Sequence, residues 1–325
     1  MTIDLSVLVF LLWTDHLSCM TQRKSMNRKD HIDTLGAVLL ISMSVILGLN
    51  QVFVKIVNDG LQPVFQAGLR SFFGLFLVLV YALLMRKRLS IGDGSFWPGM
   101  LSGLFFTAEF ILLFEGLDRT TVSRASIMFY IMPVWVAIAA HFLIPGEKLT
   151  LIRVLGLILA ISGVAVALVV NNSGTTEGTL AGDLLCLSAS LFWAGIALVA
   201  RISRLSQSIP EMQLLYQLVV SSIVMLAIAP FFGELVRDLT PTIVFIFSLQ
   251  VILVVCISFL VWFWILSIYP ASDMASFSFL TPVFGVLFGW LILGDELTYS
   301  ILAALILVGI GITLVNYKPR DLGPE

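Results

Sequence analysis

Apolar stretches of about 20 residues alternate with short polar breaks from residue 34 onward, and each break carries turn-forming or charged residues. A helix rises about 1.5 Å per residue, so about 20 residues cross the hydrocarbon core of a bilayer. The pattern therefore predicts an all-α integral membrane protein with ten transmembrane helices. We place these helices at residues 34–55, 63–85, 97–117, 121–143, 151–170, 180–203, 211–232, 242–268, 272–293 and 299–317.

The composition supports a membrane protein and excludes a soluble one. Hydrophobic residues make up 59% of the chain and charged residues 12%, whereas soluble proteins average about 45–50% and about 25%. So few charges cannot cover a water-facing surface, which makes the lipid bilayer the main partner. The net charge is −2, so no basic field favours nucleic acid as a partner.

Sequence motifs for enzymatic chemistry are absent. The chain has no phosphate-binding loop, no zinc-protease helix, no nucleophile elbow and no paired cysteines. Its three cysteines stand apart, and we interpret Cys186 and Cys256 as small apolar residues of membrane helices. We therefore predict no enzyme activity, no cofactor and no metal site.

The N-terminal segment, residues 1–32, is predicted to lie outside the membrane bundle. Its apolar run from Leu5 to Trp13 is too short to cross a bilayer and lacks the flanking features of a signal peptide. We expect the natural start at Met20 or Met26, with the earlier residues a gene-model extension. A disordered or interfacial tail is the alternative.

Two parts of the chain repeat each other. Pro133 precedes Glu147 by fourteen residues, and the same spacing separates Pro282 from Glu296. The opening helices also match, because residues 39–44 resemble residues 185–190, and the same offset pairs Lys55 with Arg201.

The repeat predicts two five-helix halves, residues 33–171 and 179–318, followed by a C-terminal tail at 319–325. A half with an odd number of helices makes its copy enter the membrane in the opposite orientation. The halves should therefore be inverted repeats, related by a pseudo-two-fold axis in the membrane plane. Transporters often use this design and bind substrate near the midplane.

The distribution of Lys and Arg predicts the orientation, since cytoplasmic loops are enriched in both. With the N-terminus in the cytoplasm, the outside segments hold Lys55, Arg119, Arg124 and Arg237, and Arg70 lies within a helix. The other 13 of the 18 Lys and Arg residues fall in inside segments. We expect a multi-pass protein of a bacterial inner (plasma) membrane with both termini cytoplasmic.

Two charged residues are predicted deep inside the membrane, where charge is costly and often functional. Arg70 lies about 10 Å and Glu109 about 12 Å from the outer ends of neighbouring helices. Arg70 could bind a substrate carboxylate or phosphate, and Glu109 a substrate amine or a coupling proton. A structural ion pair between them is the alternative. Nearer the surface, Arg124 and Glu115 form a second candidate pair, which could instead snorkel to the interface.

Uncharged residues complete the candidate site. Helix-to-helix hydrogen bonding is the alternative for the polar ones, and packing or lipid contact for the aromatic ones. Pro133 and Pro282 each remove a backbone hydrogen bond in the middle of a predicted helix and could act as hinges or as static kinks. The remaining candidates are Asn50, Gln51, Gln66, Gln217, Gln250, Tyr130 and Trp193.

Several short segments, in this order and duplicated, resemble the EamA-type branch of the drug/metabolite transporter superfamily. They are Arg70-Ser71-Phe72, Pro133 with Gly146-Glu147, Gly182 to Leu185 through Phe192-Trp193-Ala194, and Pro282 with Gly294 to Thr298. The resemblance covers residues 34 to 317 and implies ten helices with a cavity lined mainly by helices 1–4 and 6–9.

The resemblance also implies a function. We expect a secondary transporter of small amino-acid-like, amphipathic or drug-like metabolites that works by alternating access. Export is the first expectation for its direction, and uptake is the second. Protons are one candidate for the coupling ion, and a homodimer is one candidate for the oligomeric state. The alternative is a membrane enzyme or lipid-handling protein without transport activity.

Overall fold

The computed structural model describes residues 32–145, 147–170, 179–258 and 279–316, together with residues 261, 265, 268, 269 and 277. The expected start sites, most of the N-terminal tail and the C-terminal tail lie outside the described residues.

The described chain is helical. It contains no β-strand, only an isolated antiparallel bridge between Leu61 and Val236. The prediction of an all-α protein is therefore confirmed over these residues. The helices are α1 Thr34–Asn58, α2 Pro63–Leu84, α3 Phe96–Arg119, α4 Val122–Leu143, α5 Leu151–Val170, α6 Leu180–Ile202, α7 Pro210–Ile228, α8 Pro241–Gln250, α9 Leu280–Phe288 and α10 Tyr299–Asn316.

Eight of these helices are long and apolar enough to cross a membrane, within the residues that the structure describes. α8 and α9 are shorter, and each continues as π-helical turns, at Val251–Ser258 and Gly289–Leu293. Short 3₁₀ turns, Arg204–Gln207 and Ala229–Phe232, flank α7. Ten membrane crossings therefore stay a prediction.

Helix starts show the repeat in atomic detail. The Asp33 side chain accepts a hydrogen bond from the Gly36 N–H at 2.9 Å, and Thr179 accepts one from the Gly182 N–H at 3.1 Å. Each satisfies a backbone donor that the first turn of a helix leaves free. The matching caps mark equivalent starts of α1 and α6, the first helices of the two halves.

Corresponding helices of the two halves pack antiparallel. A methyl group on Gly156 of α5 would lie 2.8 Å from the Gly311 carbonyl oxygen of α10. One on Gly163, further along α5, would lie 2.8 Å from the Ala304 carbonyl oxygen, which is earlier in α10. Because residue numbers rise along one helix as they fall along the other, the two helices run in opposite directions.

The pair α4 and α9 runs antiparallel as well. Gly285 lies against Ser126, and Gly289, further along α9, lies against Ser123, which is earlier in α4. Contacts between other helices also follow the repeat. α1 packs on α8 and α9, and its equivalent α6 packs on the equivalents of those helices, α3 and α4. Antiparallel packing of equivalent helices is what an inverted repeat predicts, because its two-fold axis is perpendicular to the helices.

The bundle has two ends. We call the end with the α1–α2 turn (59–62), the α3–α4 turn and the start of α8 the distal end. The end with the start of α1 and the α2–α3 loop (85–95) is the proximal end.

The two prolines lie at helix starts rather than in mid-helix. α4 is interrupted between Phe129 and Met132, and Pro133 falls in the first turn of its second segment. Pro282 lies in the first turn of α9, which begins at Leu280. The expectation that each removes a mid-helix hydrogen bond is wrong, because the first turn of a helix has no partner for that N–H.

Candidate functional site

Arg70 is buried in the middle of the bundle without a hydrogen-bonded partner for its Nη1 among the described residues. Its side chain is on α2 and is 6% exposed. The guanidinium carbon lies 4.5 Å from the centre of the Phe110 ring and 5.4 Å from that of Phe114, both on α3. These cation–π contacts replace only part of the lost hydration, so Arg70 retains an unused donor.

Glu109 precedes Phe110 on α3 and is 4% exposed. Its Oε2 atom also lacks a hydrogen-bond partner in the described part of the chain. Arg70 and Glu109 interact electrostatically, but the described structure contains no ion pair between them within 4.0 Å. The site therefore contains a buried guanidinium and a buried carboxyl group that each have bonding capacity left.

A pair of glutamines lies next to Arg70. Gln66 is one helical turn before Arg70 on α2, and its Nε2 donates to the Gln250 Oε1 of α8 at 3.3 Å. Both glutamines are fully buried. The Gln66 Oε1 and the Gln250 Nε2 have no partner within the described ranges. The pair therefore adds one free acceptor and one free donor to the site.

Aromatic side chains also lie near Glu109. Tyr130, at the break in α4, interacts electrostatically with Glu109. Its ring centre lies 5.8 Å from that of Trp193 of α6, and Trp193 stacks on Phe129 at 4.8 Å. Stacked rings of this kind offer a flat apolar surface beside the buried charges.

One of the two candidates on α1 lies beside Tyr130. Gln51 is buried next to Tyr130, and its Oε1 accepts from the Ser126 hydroxyl at 2.6 Å. Its Nε2 has no partner in the described structure, and neither has the Oδ1 of half-buried Asn50.

Gln217 occupies a separate place. It is the repeat counterpart of Arg70, but its Nε2 donates to Ser102 of α3 at 3.0 Å. Ser102 and Glu109 are seven residues apart on α3, or about 10 Å along the helix. The structure thus brings Gln51 of α1 together with the candidates of α2, α3, α4, α6 and α8 but leaves Gln217 nearer the proximal end.

The predicted pair of Arg124 and Glu115 does not form. Arg124 binds Asp183 of α6, with Nη2 2.5 Å from Oδ2 and side-chain exposures of 1% and 0%. Glu115 binds Arg119, four residues later on the same helix, at 2.6 Å. Snorkelling of Arg124 is also wrong, since a carboxylate from the other half of the chain holds it inside the bundle.

Two acidic residues that were not among the predicted site residues form buried contacts in the structure. Asp183 stands in the first turn of a predicted membrane helix, which was the available signal. Asp295 is 3% exposed, and its Oδ2 accepts from the Ser123 N–H at the start of α4 at 2.8 Å. Aligning the two Leu-Thr pairs, at 149–150 and 297–298, would have matched Asp295 with Glu147 in place of the exposed Glu296.

The arrangement as a whole is a membrane bundle with unpaired polar groups at its centre. Within the described ranges, no three His, Cys, Asp or Glu side chains form a metal-ligand cluster. The EamA-like transporter family model matches the chain twice, at residues 34–169 and 180–317. The chain belongs to the EamA-like transporter family.

Relatives of this EamA protein have names that include transport. "Uncharacterized transporter YoaV" of Bacillus subtilis strain 168 is 26% identical, covering 86% of this chain and 95% of its own. "Uncharacterized transporter YvbV" of the same strain is 30% identical, covering 88% and 93%. A solved crystal structure shares the fold, with a TM-score of 0.61 at 17% identity, over 87% of this chain and 96% of the other.

The family assignment confirms the resemblance inferred from the duplicated motifs. It also shows a membrane transporter with two EamA domains, and relatives named as transporters fit a protein without enzymatic activity.

Proposed function

We propose that this EamA-family protein is a secondary transporter that exports small metabolites carrying an anionic group, and that Arg70 and Glu109 form its substrate site. The observation that carries the proposal is the pair of buried charged groups with unused hydrogen-bonding atoms. Burying a charged group without a hydrogen-bonded partner costs several kcal/mol of free energy. Binding of a ligand that supplies the missing partners is therefore favoured.

The chemistry of the site supports the roles of its residues. Arg70 presents a forked donor that suits a carboxylate or phosphate, and Glu109 suits a substrate amine or a coupling proton. The amides of Gln66 and Gln250 add a free acceptor and a free donor. The rings of Tyr130 and Trp193 favour an amphipathic, amino-acid-like or drug-like molecule.

Transport would proceed by alternating access around this site. The two inverted halves place it between helices of both repeats, and such halves can open it to each membrane face in turn. The break in α4 before Pro133 and the start of α9 before Pro282 would serve as hinges. The excess of Lys and Arg in the predicted inside segments favours a cytoplasmic proximal end, so export would run from the proximal to the distal end.

Thermal unfolding of the purified protein against a metabolite panel tests the binding step. The panel contains amino acids, purines, vitamins, sugar phosphates and cationic drugs. A ligand at a hundredfold excess over its Kd stabilises the folded protein by about 2.7 kcal/mol. We expect one chemical class to stabilise wild type but not Arg70→Met, while Arg119→Met, a change at a half-exposed arginine of α3, keeps the response.

Flux of the stabilising compound into liposomes tests transport itself. We expect uptake of the compound by vesicles that contain wild-type protein and none with Arg70→Met. Conversion of the compound without net movement would favour a membrane enzyme. If Glu109 couples protons, Glu109→Gln should abolish the response of flux to a pH gradient while ligand-induced stabilisation survives. An unchanged response would exclude that role.

A further inference from the structure

Six of the helices around the site form two groups, and each group mixes the two repeats. α2, which carries Arg70, belongs to neither group. The first group consists of α1, α8 and α9, and the second of α3, α4 and α6. In the first group α1 packs on α8 and α9, and in the second α6 packs on α3 and α4. Swapping the two halves of the chain converts one group into the other. The contacts between the groups are therefore the ones that must change when access to the site alternates.

At the distal end, α1 binds the last turn of α3. Lys55 donates from Nζ to the Leu117 carbonyl oxygen at 2.9 Å and to the Thr120 carbonyl oxygen at 2.8 Å. Asn58 donates to the Phe114 carbonyl oxygen at 3.1 Å. A cation at the carbonyl end of a helix is favoured by the helix dipole as well as by these hydrogen bonds.

The loop before α8 also binds α3 at this end. Arg237 forms two hydrogen bonds with the carboxylate of Asp118, at 2.7 Å and 2.9 Å, and a third with the Asn58 carbonyl oxygen at 2.9 Å. The bond to Asp118 raises the pKa of Arg237, and partial burial only partly offsets this effect. Arg237 therefore stays positively charged in this contact.

The loop after α9 binds the start of α4. The Asp295 carboxylate accepts from the Ser123 N–H, where the free N–H groups and the helix dipole both favour an anion. One turn further along α4, the Ser126 hydroxyl donates to Gln51 of α1. These contacts join the two groups close to the distal end.

At the proximal end, two polar contacts among the described residues join elements of the same group. The Tyr269 hydroxyl donates to the Asp33 side chain, which joins the segment between α8 and α9 to the start of α1. Arg201 pairs with Glu147, which joins α6 to the end of α4. Arg201 and Glu147 are the repeat counterparts of Lys55 and Asp295. Residues that bind across the groups at the distal end thus have counterparts that bind each other at the proximal end.

Burial along α4 follows the same division. The side chains of residues 120–131 are all buried, whereas those of residues 132–139 are half-buried apart from Val134. Among the described residues, the distal part of α4 packs on helices of both groups, whereas the proximal part packs mainly on α6 and α10. The structure is therefore closed at its distal end.

We infer that Lys55, Asn58, Asp118, Arg237 and Asp295 form a latch that holds the distal end shut and must break before a substrate leaves there. The inference rests on the proposed transport function, but its test needs neither a substrate nor flux. The latch joins polar side chains to helix termini, so it can open by exchanging these bonds for bonds to water. A dry apolar contact would lose burial without such compensation.

Thiol labelling of a residue behind the latch tests it. Ser123→Cys, in a chain whose own cysteines are replaced by alanine, places a fully buried thiol beside Asp295 and keeps the backbone N–H that Asp295 binds. A cationic methanethiosulfonate reagent labels this thiol only while the distal end is open. We expect Arg237→Gln or Asp295→Asn to raise the labelling rate of the purified protein at least about tenfold, which corresponds to about 1.4 kcal/mol.

Two controls make the result specific. Arg201→Gln breaks an ion pair of similar exposure at the proximal end, and it should leave the rate unchanged. A second reporter, Ala160→Cys, lies buried between α5 and α10 and should stay protected in every variant. The inference is overturned if the latch variants leave labelling at Ser123→Cys unchanged. A parallel rise at Ala160→Cys would also overturn it, since the contacts would then be general supports of the fold.

Discussion

Replacing Asp183 with asparagine should be among the most damaging single changes in this protein. Asp183 holds Arg124 through three contacts. Nε lies 3.1 Å from Oδ1 and 3.0 Å from Oδ2, and Nη2 lies 2.5 Å from Oδ2. Thr120 donates a further hydrogen bond to Oδ1 at 2.7 Å. The pair joins α4 of the first half to α6 of the second.

The magnitude follows from burial. With side-chain exposures of 1% and 0%, neither charge can return to water unless the helices separate. Removing one partner of a buried ion pair costs about 3–5 kcal/mol, because the other charge stays in a medium of low dielectric constant. An exposed pair contributes only about 0–1 kcal/mol. Asp183→Asn should therefore lower the free energy of unfolding by about 3–5 kcal/mol.

Reversible unfolding in mixed detergent micelles measures this change in the free energy of unfolding. Arg201→Gln, which breaks an exposed pair, is the control and should lower the free energy of unfolding by only about 0–1 kcal/mol. The double change Arg124→Met with Asp183→Leu removes both charges and should cost less than Asp183→Asn alone. A loss below about 1 kcal/mol for Asp183→Asn, or a double variant no more stable than the single one, would refute the reasoning.

Three further predictions concern packing, charge recognition and topology. Gly311→Ala should destabilise the protein by about 1–3 kcal/mol in the unfolding assay, because the added methyl group would lie 2.6 Å from the Ala160 nitrogen. Gly309→Ala is the control, since a methyl group there would have no atom within 4 Å, and this change should be neutral or slightly stabilising. Arg70→Lys should weaken binding of anionic ligands more than of neutral ones in the thermal panel, since an ammonium cannot make the forked contact; equal losses would indicate a structural role. A C-terminal reporter that is active only in the periplasm should stay silent in cells, and activity there would contradict the proposed orientation.

The sequence predicts the architecture well because the bilayer imposes simple rules. A backbone in lipid must satisfy its own hydrogen bonds, so long apolar stretches become helices. The lengths of these stretches and the breaks between them can be read from the sequence, and the structure places most helix ends within a few residues of the predicted ones. Duplicated motifs predicted the two halves, and the antiparallel packing of α5 on α10 is consistent with their inversion.

The prediction was weaker where the local pattern of a helix changes. Pro133 and Pro282 were placed in mid-helix, because the apolar runs around them continue without a polar break. In the structure α4 is interrupted and α9 begins just before its proline. An apolar stretch in lipid does not reveal such a break, since hydropathy reports depth and not backbone conformation.

Partners of buried charges were decided only by the tertiary structure. Similar depth on adjacent helices suggested that Arg124 binds Glu115, but helix rotation places Arg124 towards Asp183, 59 residues away. The sequence by itself determined an all-helical membrane protein of two EamA repeats with charges inside the bilayer. Which of those charges are paired, and that Arg70 and Glu109 keep unused bonding atoms, depends on how ten helices pack, because hydrogen bonds act over about 3 Å and the sequence carries no distances between helices.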